Sequence, residues 1–167
     1  HREAFMQKYY DDKRPFVIAH PESEYSHLPA RDARAHGSIK RSNRFPNCSY
    51  FKNWTETEDW LSFDVEVGAS GTYQVTLYYA AKEAGAKFEL SFNGAKLPFV
   101  LREAHDVPEL GAENDRHPRM ESYVKDFKAV KIGEIMLESG KGELVLRATE
   151  IPGEEAMEFR LLTLKRM

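Results

Sequence analysis

The amino-acid sequence predicts an all-β domain, a β-sandwich of jelly-roll type with long loops. Three observations carry this. Residues 61–67 alternate strictly, with Leu61, Phe63, Val65 and Val67 on one face and Ser62, Asp64 and Glu66 on the other. Apolar-rich runs then recur at about 60–67, 72–81, 87–93, 96–102, 129–137, 143–150 and 156–165. Their separators, Gly68-Ala69-Ser70-Gly71, Asn93-Gly94, Ser139-Gly140 with Gly142, and Pro152-Gly153, have the chemistry of tight turns. The chain supplies further strands rather than long amphipathic helices, so a sheet that buries one face takes a second sheet as its other layer.

Taken in order, residues 1–13 have helix-compatible composition but stop at Pro15, which predicts a surface helix or the end of a linker. Residues 1–15 are accordingly assigned to a linker or a preceding domain, and 16–167 to the sandwich. Phe16-Val17-Ile18-Ala19, bounded by Pro15 and Pro21, suits an edge strand. Between Pro21 and Asn53 the Pro, Gly, Ser and Asn punctuation predicts a long structured loop or a pair of short strands. One stretch breaks the later rhythm. Residues 103–127 are too long for a hairpin connection, and loops of that length are usually functional or disordered. Tyr123, Val124 and Phe127 argue for order at its end.

A chain of 167 residues is long enough to bury about two-thirds of its unfolded surface in one domain without disulfide or metal staples. The net charge of −3, from 24 basic and 27 acidic residues, gives no global case for nucleic acid or an anionic membrane. No apolar run approaches the ~20 residues of a membrane span. Cys48 is the single cysteine and reads as a small half-buried residue. The opening His1 suggests a piece of a longer protein. Charge is uneven locally: in residues 31–52, Arg31, Arg34, Lys40, Arg41, Arg44 and Lys52 face the lone acid Asp32.

Two layers of resemblance follow from particular residues. The strand ending Val65-Glu66-Val67, the run from Gly71 to Ala80 (GTYQVTLYYA) and Phe88-Glu89-Leu90-Ser91-Phe92-Asn93-Gly94 resemble non-catalytic carbohydrate-binding modules with a galactose-binding-like jelly roll. A wider set covers nearly the whole chain. It comprises Pro29-Ala30-Arg31-Asp32, the run 36–44 (HGSIKRSNR), Asn53-Trp54-Thr55, Glu113-Asn114-Asp115-Arg116, the run 121–127 (ESYVKDF) and the run 147–153 (RATEIPG). This set resembles the C-terminal accessory domain of secreted planctomycete-type sulfatases of the N-acetylgalactosamine-6-sulfatase-like kind. The resemblance implies an extracytoplasmic, periplasmic or secreted, glycan-degrading parent whose catalytic sulfatase domain lies elsewhere in the same chain. Sulfatase activity is not expected of the sequence itself, because Cys48-Ser49-Tyr50-Phe51-Lys52 does not fit the motif converted to formylglycine. The modules' Asn and Asp near the last strand are replaced here by Ala156-Met157-Glu158-Phe159-Arg160-Leu161.

The candidate ligand residues are those whose chemistry suits an acidic sugar: flat aromatic faces for C–H surfaces, and Arg, Lys and Asn for anions and hydroxyls. They are Arg31, Lys40, Arg41, Arg44, Tyr50, Asn53, Trp54, His105 and Arg116. Two readings stand side by side. In the first, these residues bind a sulfated or other anionic glycan. In the second, Trp54 or Trp60 covers the end of the sandwich, while Arg41, Arg44 and Arg116 pair with Asp32, Glu113 or Asp115 to tie the loops down. His105-Asp106 and Asp115-Arg116-His117 lack the spacing on a rigid element that zinc sites show, and are read as loop-ordering. No catalytic residue, metal site or cofactor is predicted. The sequons Asn47-Cys48-Ser49 and Asn53-Trp54-Thr55 are read as turn-forming asparagines.

Overall fold

The computed structural model describes residues 16–43, 49–108 and 125–167. Its strands in chain order are β1 (Phe16–Ile18), β2 (Tyr25–Pro29), β3 (Arg34–His36), β4 (Lys40–Arg41), β5 (Phe51–Lys52) and β6 (Trp60–Val67), followed by β7 (Gly71–Ala80), β8 (Lys87–Phe92), β9 (Ala95–Val100), β10 (Lys128–Leu137), β11 (Gly140–Glu150) and β12 (Glu158–Arg166). A single 3-10 turn, Ala30–Asp32, separates β2 from β3. The seven later strands follow the apolar runs read from the sequence to within three residues. The lead-in was expected as a loop or two short strands. It forms four, β2 to β5, because the fragments borrow hydrogen bonds from the edges of longer strands rather than pairing among themselves alone.

Two six-stranded sheets result. The first runs β1-β6-β11-β8-β9 with β3 beside β6, and the second runs β10-β7-β12-β5-β4 with β2 beside β12. Among the described residues the only parallel pairing is β1 with β6, where Phe16 to Ile18 lie opposite Val65 to Val67. This is the edge strand expected of the first apolar run. The two inner faces interdigitate through Leu61, Phe63, Val65 and Val67 of β6, Tyr73, Val75, Leu77 and Tyr79 of β7, and Phe159, Leu162 and Leu164 of β12, all buried. Phe63 meets Phe159 edge to face across the layers, ring centres 6.3 Å apart. The odd spacing from Phe159 to Leu162 follows from a bulge at Arg160, which shifts the register by one residue and returns the next apolar side chain to the core. The fold is an all-β sandwich of jelly-roll type.

The antiparallel registers sort the connections by length. Short turns at 68–70, 93–94 and 138–139 lie at one end, held together by Ser139 N–H donating to Ser70 Oγ at 2.8 Å and Asn93 Nδ2 donating to the Lys141 carbonyl at 3.1 Å. The long connections 81–86, 101–127 and 151–157, and the entry into β6, meet at the other end. There Ala81 and His105 form a two-way backbone bridge, and Ala156 N–H donates to the Trp54 carbonyl at 2.7 Å. Placement of side chains on long loops held by a rigid sandwich is where binding residues are usually found.

Candidate functional site

The basic segment of residues 31–52 is divided between the two sheets: β3, with Arg34, pairs with β6 of the first, and β4 and β5 lie in the second. The Arg41 guanidinium donates to the carbonyls of Ala30, Arg31 and Ala33 at 3.0, 3.2 and 2.9 Å and lies 4.6 Å from the centre of the Phe51 ring. It closes the backbone around the 3-10 turn, where the sequence suggested ligand contact or an ion pair with Asp32. A planar five-donor group suits this task, since a short turn leaves several carbonyls facing one point. Arg31 is half exposed and faces its neighbour Asp32 at 3.7 Å. Lys40 is exposed on β4, opposite Lys52.

The aromatic and amide candidates also make contacts within the domain. Trp54 is completely buried, edge to face with Phe88 at 5.5 Å, so it presents no face on which a sugar could stack. Burial won because the indole fills the gap between the two sheets at the loop end. Tyr50 is also buried and meets Phe127 edge to face at 5.3 Å, with Lys125 Nζ 5.6 Å from its ring centre. Asn53 takes a left-handed backbone, φ +62°, and its side-chain amide donates to the Ser38 carbonyl at 2.7 Å, as a turn former does. His105 pairs through its backbone with Ala81, and its Nε2 contacts the Asp126 carbonyl. Arg44 and Arg116 lie outside the described residues, as do Cys48, Asn47, Tyr123, Val124, Glu113, Asp115, His117 and residues 1–15.

A cleft among the described residues lies elsewhere, where edge strand β9 of the first sheet faces edge strand β10 of the second. It encloses about 670 Å³, within the roughly 300–1,000 Å³ common for small-ligand sites. Its apolar lining comes from Phe88, Pro98, Phe99, Val100, Val130 and Ile132, and Tyr79 and Thr149 also line it. Four cations, Lys87, Arg102, Lys128 and Lys131, line it against one carboxylate, Glu103. In a chain of net charge −3 this is a marked local reversal. Of these cations, Lys87 faces Glu150 at 3.3 Å and Lys128 faces Glu103 at 3.0 Å, both exposed pairs that water screens.

A bulge lies in the β10 wall of this cleft. The register of β10 against β7 slips between Lys131 and Gly133, and Gly133 has φ +138°. A regular strand would send Lys131 and Ile132 to opposite faces, yet both line the cleft. Glycine is favoured at 133 by that positive φ, and a Cβ there would also displace the Leu97 side chain of β9, 2.8 Å away. The sequence reading passed over these residues, since lysines and a proline on edge strands also serve to block sheet-to-sheet pairing. The available signal was an apolar run with a basic residue at each end, Lys96 to Arg102, and the basic pair Lys128 and Lys131 among apolar residues, on the two sides of the long connection.

The described residues contain no group of three or more His, Cys, Asp or Glu side chains placed to hold a metal ion. No helix among them is long and apolar enough to cross a membrane.

The class defined by these features is the all-β jelly-roll sandwich. Neither a family model nor a curated protein matches the chain. Solved structures do. A β-1,3-glucan-binding CBM6 from Bacillus halodurans superposes with a TM-score of 0.63 at 11% identity, covering 91% of this chain and 99% of that one. The Podospora anserina GH26-CBM35 β-(1,4)-mannanase gives 0.59 at 16% identity over 86% of this chain, and the Cry4Aa toxin of Bacillus thuringiensis gives 0.61 at 14% over 86%. The chain spans 28% of the mannanase and 23% of the toxin. At such identities the likeness establishes the fold.

Proposed function

We propose that this chain is a non-catalytic accessory module that binds an anionic glycan in the cleft between β9 and β10. One observation carries the reading: an apolar-walled cleft of ligand size whose charged lining is four cations to one carboxylate. Val100, Pro98 and Ile132 offer a surface for the C–H faces of a pyranose, and Arg102 and Lys131 offer charge-assisted hydrogen bonds to a sulfate or carboxylate. The solved relatives described as carbohydrate-binding modules support a saccharide as the ligand. Sulfate as the anion, a catalytic sulfatase domain as the partner within the same parent chain, and a periplasmic or secreted location rest on the sequence resemblance. Neither nucleic acid nor membrane is part of the reading.

A purely structural role, packing against a catalytic domain, would be served by one exposed apolar patch. Among the described residues the exposed large apolar side chains are spread over both sheets instead: Val17 on β1 and Val100 on β9 in the first, Tyr25 on β2 and Met136 on β10 in the second, with Met167 after β12.

The test is a screen of sulfated and unsulfated oligosaccharides at two salt concentrations, followed by calorimetry with Lys131→Ala and Arg102→Ala. Binding that weakens with salt and drops at least tenfold in either variant, with melting temperature preserved, supports the assignment. Unchanged affinity in both variants sinks it.

A further inference from the structure

The one acid of the cleft is anchored more firmly than an incidental surface glutamate. On one side of Glu103, the Leu101 N–H donates to the Ala86 carbonyl at 2.9 Å; on the other, His105 forms the two-way bridge with Ala81. The Glu103 carbonyl itself accepts a 2.6 Å hydrogen bond from the hydroxyl of buried Tyr79. Tyr79 is in turn the strand partner of Lys128. With its backbone fixed at three points, Glu103 holds a carboxylate oxygen 3.0 Å from the Lys128 ammonium, while 69% of its side chain stays open to water. Its hydrogen bond and charge raise the Lys128 pKa above the ordinary value.

We propose that Glu103 is a specificity-determining residue: a tethered carboxylate that occupies Lys128 and competes there with the anionic group of an incoming ligand. The cleft in this arrangement accepts an acidic group beside Arg102 and Lys131 and discriminates against ligands that carry a second negative charge near Lys128. This inference rests on the reading of the cleft as an anion site. Its consequence is opposite in sign to most changes at a binding site, because removing the charge strengthens binding. The gain is modest, since the pair is exposed, and it shrinks as salt screens it.

The experiment compares wild type, Glu103→Gln and Glu150→Gln in titrations with inorganic sulfate and with a polysulfated oligosaccharide, followed by NMR of the lysine Cε–H signals. Glu150→Gln is the control, because it also releases a cleft lysine, Lys87, from an exposed carboxylate 3.3 Å away but at a residue outside the lining. The expected result is affinity for sulfate about fivefold tighter in Glu103→Gln, within twofold of wild type in Glu150→Gln, and a smaller gain at high salt. Equal affinity in wild type and Glu103→Gln, an equal gain in both variants, or no sulfate binding by any of the three overturns the inference. If Glu103→Gln tightens sulfate while no oligosaccharide binds, the competition stands and the glycan reading fails. If wild type binds the oligosaccharide and Glu103→Gln leaves that affinity unchanged, the reverse holds.

Discussion

The carboxylate of Glu155 accepts the backbone N–H of Asn53 at 3.1 Å, joining two loops 102 positions apart in sequence. Asn53 carries the interaction onward through its side chain to Ser38, so three segments of the loop end share one polar junction. Burial, opposed by the Asn53 hydrogen bond, and then the nearby Glu158 raise the Glu155 pKa, while Lys82 and Lys125 pull it back.

A raised carboxyl pKa means that the native state binds more protons than the unfolded chain, so this group's contribution to stability falls as pH rises through the folded pKa. Glu155→Gln keeps an oxygen to accept the Asn53 N–H and removes the charge. It should stabilise the domain at pH 7 by about 0.5 kcal/mol or less, because water screens the half-exposed side chain. The gain should vanish in acid, where Glu155 is protonated anyway. Thermal melts of both proteins from pH 4 to 8 check this; a gain that grows toward low pH would contradict it.

Asp59 works in the other direction. Burial pushes its carboxyl up, but the Ser38 hydroxyl, the Ser38 backbone N–H at 2.9 Å and the backbone N–H groups of Glu56 and Thr55 outweigh that and lower its pKa. The approach is so close that a Cβ at Gly37, φ +88°, would lie 2.0 Å from Asp59 Oδ1. With the folded pKa depressed, the stabilisation is fully present above the unfolded value near ~3.9 and is lost as pH falls through the folded pKa. Asp59→Ala should cost about 2 kcal/mol at pH 7 by leaving partly buried donors without an acceptor. Urea unfolding at pH 7 and pH 3 should show a smaller cost at the lower pH.

Trp54 should govern folding and leave ligand contact to others. Trp54→Ala removes a fully buried indole and should cost about 3–5 kcal/mol. Trp54→Phe should cost less, because the edge-to-face contact with Phe88 can be kept and the indole N–H, buried without a partner, is lost. Chemical denaturation measures the first two quantities. Affinity of folded Trp54→Phe for any ligand of the β9–β10 cleft should match wild type, and a tenfold loss would return this residue to the binding site.

Arg41→Met should destabilise by about 2 kcal/mol, since hydrogen bonds to charged groups contribute more than neutral ones and three carbonyls lose their shared donor. Arg41→Lys should recover little, because a point charge cannot span three acceptors. Denaturation midpoints of the two variants decide it: near-equal midpoints support the argument, while a lysine variant equal to wild type refutes it.

The strands were legible because their signal is local. Alternation in 61–67, the Asn93-Gly94 turn and the Ser139-Gly140 turn each state within a few residues which side chains face inward and where the chain reverses. The short lead-in strands were less so, since Phe51-Lys52 or Lys40-Arg41 is a strand only by virtue of a neighbour supplied from elsewhere in the chain. The bulges at Ile132 and Arg160 were invisible for a like reason: each is a mismatch between two strands and belongs to neither sequence alone.

The local pattern of the sequence therefore determined the all-β class, the order of the long strands and the presence of one outsized connection, because backbone geometry ties side-chain period to secondary structure. Which of the basic and aromatic residues are available to a ligand was decided only by tertiary structure. Arg41 and Trp54 have the chemistry of sugar-binding residues and were drawn into carbonyls and core, whereas Lys128, Lys131 and Arg102 have the look of edge protection and line the open cleft. The physical reason is that availability depends on what lies opposite a side chain. Opposition is set by pairings such as Lys128 with Tyr79, between residues that the chain itself keeps far apart.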